Sequence, residues 1–163
     1  MRTLRLEEMN WDITKLHADI IVNAANTQLI PGGGVDSKIH SIAGPELANA
    51  CKELGGCDYG EAKITEAYDL PAQYVIHTVA PIYGYHKGKE PKILYKCFYT
   101  SLELADDYGV ESMAFPALGS GLHGNPYEDV IMIAQKAVED FADRHPNSSL
   151  KRVVFVHYTT SFH

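Results

Sequence analysis

The chain has little positive charge, with 14 Lys and Arg against 21 Asp and Glu and a formal net charge of −7 over 163 residues. Proteins that capture a nucleic-acid backbone or an anionic membrane surface by electrostatics carry basic patches. We therefore expect neither a nucleic-acid polymer nor a membrane as a partner. A small anionic ligand is still compatible with this composition, because backbone amides hold phosphate without a cation.

Cysteines and long apolar runs are also scarce. The three cysteines are an odd number in a chain of this size, so we expect no disulfide framework and a reducing compartment. No apolar run approaches the ~20 residues of a membrane-spanning helix. Residues 1–12 are charged and lack the apolar segment of a signal peptide. We expect a cytoplasmic protein.

The sequence does contain enough apolar residues for one core, since 45% of the chain is hydrophobic. We expect residues 1–163 to form a single domain and a monomer. Runs typical of strands alternate with segments of helical periodicity. The predicted strands are residues 3–9, 20–22, 61–68, 74–79, 112–116 and 153–156, the predicted helices include 44–54, 93–107 and 127–143, and residues 82–92 are predicted to form a surface loop. This order favours an α/β fold, a three-layer α/β/α sandwich with a largely parallel sheet.

Two glycine-rich loops each follow a predicted strand and precede a predicted helix. In residues 19–43, an apolar run gives way to Asn-Ala-Ala-Asn, then to three glycines, and then to Asp36 where a helical pattern begins. The second loop is residues 117–126. Glycine lets a ligand approach the backbone, and a helix N-terminus favours an anion. Ligands of such sheets bind beyond the carboxyl ends of the strands, so we expect both loops on one rim, around a pyrophosphate.

Other chemistries have weaker support. There is no Walker motif, and the match of residues 119–124 to G-x-G-x-x-G is weak evidence by itself. Ser120 lacks the second spacing glycine of a nucleophile elbow. Four side chains of types that bind zinc are not in a metal-ligand spacing: His40, Cys51, Cys57 and His77. We interpret them as core histidines and buried thiols and expect no metal.

Several short motifs occur in order between Asp12 and about Val156. They are residues 12–14 (DIT), 21–26 (IVNAAN), 32–36 (GGGVD), 39–40 (IH), 43–44 (AG), 56–57 (GC), 75–79 (VIHTV), 115–117 (FPA) and 121–124 (GLHG). Together they resemble a macrodomain, and more narrowly the MacroD-type branch, whose members hydrolyse ADP-ribose esters. The resemblance implies one macrodomain over residues 1–163, with a central mixed, mostly parallel sheet.

The resemblance also implies a role for each matching position. Asp12 would accept a hydrogen bond from the adenine amino group of ADP-ribose, with the amide of Ile13 facing the same ring. Asn26 would hold the distal ribose, and Asp36 would orient and partly deprotonate a water. The loop residues that would bind the pyrophosphate and the distal ribose are Gly33, Gly34, Val35, Ser120, Gly121, Leu122, His123 and Gly124.

Each of these polar residues also has a purely structural interpretation. Asp12 suits a loop or a helix cap, Asn26 could close an Asx turn, and Asp36 could stabilise the helix dipole. Asn23 lies inside the strand end, and we interpret it as a structural hydrogen-bonding residue.

The sequence departs from the family pattern at several positions. Trp11 replaces a glycine before Asp12 and is expected to pack under the adenine or to change the depth of its pocket. Pro31 and Ser37 replace glycines and would stiffen the loop or add a hydroxyl near the water. His123 stands where a tyrosine or phenylalanine commonly covers the distal ribose, so weaker stacking is expected there. With seven residues after Val156, we do not expect the terminal helix that is common in the family, and we still expect Tyr158 near the adenine.

These features favour a hydrolase that removes ADP-ribose from O-acetyl-ADP-ribose or from mono-ADP-ribosylated Asp or Glu of a protein, without a cofactor. One alternative is a non-catalytic ADP-ribose-binding module, which needs the glycine loops but no acidic group. Another is a phosphate-binding domain for a different nucleotide or an RNA end.

Overall fold

The computed structural model of the chain describes residues 4–157. Within this range, six strands form one sheet: β1 (Leu6–Asn10), β2 (Ile20–Ala24), β3 (Ala62–Glu66), β4 (Tyr74–Thr78), β5 (Ser112–Pro116) and β6 (Arg152–His157). Four α-helices connect them: α1 (Gly34–Ala43), α2 (Pro45–Leu54), α3 (Glu90–Asp107) and α4 (Tyr127–Arg144). The strand order is β1-β6-β5-β2-β4-β3, and only the β3–β4 pair is antiparallel. The predicted α/β sandwich with a mixed, mostly parallel sheet is confirmed.

The sheet separates two hydrophobic clusters. On β2, Ile20 and Val22 face the cluster that contains residues of α3 and α4, whereas Ile21 faces the cluster that contains residues of α1 and α2. Side chains alternate between the faces of a strand, so a strand buried on both faces is apolar throughout. This explains the continuous apolar run of β2.

Some of the predicted boundaries are wrong. Residues 82–92 were expected to form a loop, but α3 begins at Glu90, with Pro91 in its first turn, where a missing amide is tolerated. The Glu90 carboxylate accepts hydrogen bonds from the amides of Gly84 and His86, and it ties the preceding loop to the helix. The strand predicted from residue 3 begins only at Leu6, and the strand predicted to residue 68 ends at Glu66, before Tyr68 with its φ of 53°. Residue 3 itself and Tyr158 lie outside the described residues.

The two central strands β2 and β5 are neighbours, but the helices that follow them cover opposite faces of the sheet. Such a reversal opens a crevice at the carboxyl ends of parallel strands. The loop after β2 leads into α1 and the loop after β5 leads into α4, so both glycine-rich loops border this crevice. Across residues 4–157, no helix has the length and apolar character needed to cross a membrane.

Candidate active site

A cleft of about 800 Å³ lies at the carboxyl ends of the parallel strands. Both glycine-rich loops line it, which confirms that they share one rim. Of the predicted site residues, the cleft brings together Asp12, Ile13, Asn26, Gly33, Gly34, Val35, Asp36, Ser120, Gly121, Leu122 and His123. Gly124 is not in the lining, and its amide donates to the carbonyl of Gly121 inside the loop over 3.0 Å.

The first loop presents the amino end of α1 to the cleft. Gly33 is the N-cap residue of this helix, and it has no side chain to cap the first amides. Since these amides have no acceptor within an α-helix, those of Gly34 and Val35 are available to an anion at the positive end of the helix dipole. Gly34 has a φ of 62°, a left-handed conformation that favours glycine.

The second loop is held by Asn125, a residue that the sequence analysis missed. Its buried side chain donates from Nδ2 to the carbonyl oxygens of Pro81 and Gly119, over 2.8 and 2.9 Å. Gly119 has a φ of 76°, and a Cβ there would lie 2.8 Å from Nδ2 of Asn125. The loop therefore depends on a glycine and an asparagine that fit closely together.

The amides of the second loop fall into two groups. Ser120 uses its amide and its hydroxyl on one acceptor, the carbonyl of Ala117, over 3.1 and 2.8 Å. The next amides, those of Gly121, Leu122 and His123, have no acceptor in the part of the chain that the structure describes. Consecutive free amides form a concave anion site, so this loop can hold a phosphate without a cation.

The two loops meet at the mouth of the cleft. Leu122 is 89% exposed, and its Cδ1 would lie 3.4 Å from a Cβ on Gly33 of the first loop. His123 ties the second loop to the segment after β4. Its Nδ1 donates to the carbonyl of Ala80 over 2.9 Å, and its own carbonyl accepts from the amide of Tyr83. The imidazole of His123 is thus fixed by a backbone contact while it lines the cleft.

Asp36 lies beneath the first loop with only 3% of its surface exposed. Its Oδ2 accepts from the amide of Gly32 over 2.9 Å, and its Oδ1 accepts from Nδ2 of Asn23 over 2.7 Å and lies 3.3 Å from Nε2 of His40. A carboxylate has about four lone-pair sites, so one remains on Oδ2 for a water. The hydrogen bond from the amide of Gly32 also fits the purely structural role of Asp36, in which the carboxylate stabilises the amino end of α1.

Asn26 fastens its own loop. Its Nδ2 donates to the carbonyl of Ile30 over 2.8 Å, and its Oδ1 accepts from the amide of Ile30 over 3.2 Å. The amide group retains one N–H and one lone pair for a ligand. A Cβ on Gly32 would lie 3.1 Å from Nδ2 of Asn26 and 3.1 Å from Oδ2 of Asp36. Glycine at this position therefore keeps open the space between the two predicted catalytic side chains.

Asp12 caps the short 3-10 helix Ile13–Lys15. Its Oδ1 accepts from the amide and the hydroxyl of Thr14, over 3.0 and 2.6 Å, and its Oδ2 lies 2.6 Å from Nζ of Lys38. Burial raises the pKa of Asp12, but the hydrogen bonds from Lys38 and Thr14 outweigh burial and hold the pKa below its ordinary value of 3.8. Asp12 is thus a charged acceptor at neutral pH. Lys38, which lines the same cleft, was not predicted as a site residue.

Three unusual residues from the sequence analysis are not part of the cleft lining. Trp11 is 46% exposed, and it does not line the cleft although its neighbours Asn10 and Asp12 do. The expected packing of the indole in the pocket is therefore not seen. Pro31 and Ser37 are exposed on the outer side of the first loop and of α1. The hydroxyl of Ser37 is therefore not placed near a water bound by Asp36.

Residues 22–134 match the family model of the Macro domain. The chain belongs to the Macro domain family. It is 49% identical over 142 residues to a Macro domain-containing protein of Methanosarcina mazei, covering 86% of this chain and 75% of that protein. It is 45% identical over 158 residues to an O-acetyl-ADP-ribose deacetylase of Cronobacter turicensis, covering 94% and 89%. A Trypanosoma brucei macrodomain solved in complex with ADP-ribose shares 36% identity and a TM-score of 0.88, covering 96% of this chain and 65% of that one.

In this macrodomain, two residues interpreted as structural contact the predicted catalytic carboxylate directly. Asn23 and His40 both approach Oδ1 of Asp36. The contact of His40 with Asp36 could have been predicted from the sequence, because residues four apart on a helix share a face. Asn23 carried no comparable signal, since its contact depends on how α1 packs over β2.

The cysteines of this macrodomain are buried and unpaired. Burial raises the pKa of each thiol, Cys51, Cys57 and Cys97, to about 11. Thiols with such pKa values are poor nucleophiles. Within residues 4–157, no group of three or more His, Cys, Asp or Glu side chains is arranged to hold a metal ion.

Proposed function

We propose that this macrodomain is a hydrolase that binds ADP-ribose and removes it from ester-linked substrates, either O-acetyl-ADP-ribose or mono-ADP-ribosylated Asp or Glu of a protein. The proposal rests on one observation: two rows of available amides and the buried carboxylate of Asp36 converge in one cleft. Two relatives support it, since the Cronobacter turicensis protein is named a deacetylase of O-acetyl-ADP-ribose and the Trypanosoma brucei macrodomain was solved with ADP-ribose.

Each part of the ligand has a matching part of the cleft. The charged carboxylate of Asp12 accepts from the adenine amino group. The pyrophosphate lies between the amino end of α1 and the free amides of the second loop, where no cation is required. The remaining N–H and lone pair of Asn26 meet the hydroxyls of the distal ribose, next to Asp36.

The chemical step is the hydrolysis of an ester. A water held at the open lone pair of Oδ2 on Asp36 attacks, and Asp36, alone or with help from a substrate phosphate, accepts part of its proton. Attack at the ester carbonyl and attack at the ribose carbon give the same products, ADP-ribose and a carboxylic acid. Assistance by a general base of this kind contributes about 10²- to 10⁴-fold to the rate.

A second candidate is a module that binds ADP-ribose without turning it over. One observation favours it: Asn26 and Asp36 both make the backbone contacts of purely structural residues, to Ile30 and to Gly32. In that case the loops would bind the ligand and the carboxylate would only cap α1.

The two candidates are separated by turnover. The wild-type protein is incubated with O-acetyl-ADP-ribose and with a protein carrying ADP-ribose on Asp or Glu, and the release of ADP-ribose is followed, with Asp36→Ala as the control for background hydrolysis. Binding of ADP-ribose is measured in parallel by calorimetry. Release of ADP-ribose from either substrate supports the hydrolase. Tight binding with no release from either substrate leaves the binding module.

A further inference from the structure

A row of polar side chains crosses three strands beneath α1. Asn23 on β2 and His77 on β4 are directly paired in the parallel register, and Thr65 on β3 lies beside His77. Asn23 and His77 are fully buried, at the edge of the apolar cluster under α1 and α2. Buried polar groups are costly unless they are hydrogen-bonded, so the partners of this row indicate what it does.

The two hydrogens of the Asn23 amide have different acceptors. Nδ2 donates to Oδ1 of Asp36 over 2.7 Å and to Nδ1 of His77 over 3.2 Å. Oδ1 of Asn23 has no partner among residues 4–157. If the amide turned over, its oxygen would face a carboxylate oxygen and a ring lone pair, both of which are acceptors. The orientation of the amide therefore depends on Asp36 and His77 together.

His77 is held in one tautomer by its neighbours. Because Nδ1 accepts from Asn23, the neutral ring carries its proton on Nε2, which lies 3.0 Å from Oγ1 of Thr65. Burial, and after it the nearby His40, lowers the pKa of His77 to about 4, although Asp36 acts in the opposite direction. The ring is neutral at neutral pH, which is the form whose Nδ1 can accept a hydrogen bond.

We propose that His77 is a positioning residue for the hydrolysis described above, on which this inference rests: it holds the Asn23 amide with its N–H groups toward Asp36 and so fixes the direction of that carboxylate. Asn23 makes the shortest hydrogen bond to Asp36, at 2.7 Å against 2.9 Å from the amide of Gly32. Without an acceptor at Nδ1, one of the two contacts that orient the amide is lost. A displacement of about 1 Å near the reacting atoms lowers a rate by about 100-fold.

The test compares two variants of the same residue. His77→Leu removes the acceptor, whereas His77→Asn places a carbonyl oxygen near the position of Nδ1. Val75→Ala is the matched control, because Val75 is fully buried on the same face of β4 and touches neither Asn23 nor Asp36 through a hydrogen bond. For each protein, kcat and KM for O-acetyl-ADP-ribose, the Kd of ADP-ribose and the melting temperature are measured.

We expect His77→Leu to lower kcat by about 10- to 100-fold while KM and Kd change by less than about 2-fold. His77→Asn recovers most of kcat, and Val75→Ala lowers the melting temperature with kcat retained. A folded His77→Leu variant with the kcat of the wild type overturns this inference but not the proposed function. A loss of kcat in Val75→Ala as large as that in His77→Leu does the same. A wild type that hydrolyses neither substrate overturns the proposed function and this inference with it.

A measurement on the wild type applies even where His77→Leu does not fold. Nitrogen NMR of the labelled histidine rings reports which ring nitrogen carries the proton. The inference requires that the ring of His77 is protonated on Nε2 and unprotonated on Nδ1 at neutral pH. A ring protonated on Nδ1 would leave Asn23 without its second acceptor, and the inference would be wrong.

Discussion

Nζ of Lys38 lies 2.6 Å from Oδ2 of Asp12, so a cation sits at the carboxylate oxygen that Thr14 leaves open. A purine amino group bound by Asp12 must share this oxygen with Lys38. The Lys38 side chain is 39% exposed and that of Asp12 is 13% exposed, so the pair is partly screened by solvent. We expect the carboxylate, and not the ion pair, to supply most of the binding energy at this end of the cleft.

The contributions of the two partners can be separated by substitution. Asp12→Ala should weaken the binding of ADP-ribose by about 1.5 to 3 kcal/mol, the range for a hydrogen bond to a charged group. Lys38→Met should change it by less than about 1 kcal/mol, as expected for a partly exposed pair. Calorimetry with ADP-ribose measures both. Unchanged affinity in Asp12→Ala would mean that the adenine does not bind there.

A methyl group at position 32 should separate binding from turnover. In Gly32→Ala the new Cβ would lie 3.1 Å from both Nδ2 of Asn26 and Oδ2 of Asp36, closer than side chains normally approach. We expect kcat for O-acetyl-ADP-ribose to fall by about 10- to 100-fold, because the two groups are displaced where a water and the ribose would meet. Ser37→Ala, an exposed change on α1 outside the cleft lining, is the control and should retain kcat.

Loss of the Asn125 side chain should loosen the second loop. Asn125→Ala removes the donors to the carbonyls of Pro81 and Gly119, and we expect the free energy of unfolding to fall by about 2 to 4 kcal/mol. Thermal or denaturant unfolding measures this, and ADP-ribose binding should weaken as well. Asn49→Ala on the exposed face of α2 is the matched control, with an expected change within about 0.5 kcal/mol. Equal stability in the two variants would contradict the role given to Asn125.

The stability of the protein should depend on pH through His77. Its pKa is about 4 in the folded protein against an ordinary value of 6.5, so the unfolded chain binds a proton between these values and the folded protein does not. The free energy of unfolding is therefore unaffected by this group above about pH 6.5. It falls by about 3 kcal/mol as the pH is lowered to about 4. The difference in free energy of unfolding between wild type and His77→Leu should shrink over this window. A difference that does not vary with pH would show that His77 titrates normally.

The sequence predicted the fold well because its signals were local. Short apolar runs marked β2, β4, β5 and β6, and glycines followed by helical periodicity marked the two loops of the cleft. The start of α3 was missed because Glu90 acts through its carboxylate on the loop before it, and residue type alone does not show that contact.

The site was predicted less completely, because several of its contacts join distant segments. Asn23 reaches Asp36 only when α1 packs over β2, and Lys38 of α1 reaches Asp12 only when α1 lies beside the short 3-10 helix. The indole of Trp11 was expected to pack under the adenine or to change the depth of its pocket, but Trp11 is 46% exposed and is not in the cleft lining. Motif position predicted which residues line the cleft, whereas their hydrogen-bond partners required the folded structure.

The central claim is that Asp36 makes binding lead to hydrolysis. The most direct measurement determines, on one preparation of Asp36→Asn, both kcat for O-acetyl-ADP-ribose and Kd for ADP-ribose. We predict that kcat falls by at least about 100-fold while Kd stays within about 3-fold of the wild type, because Asn fills the same space without the charge that accepts a proton. A variant with the kcat of the wild type would contradict the account.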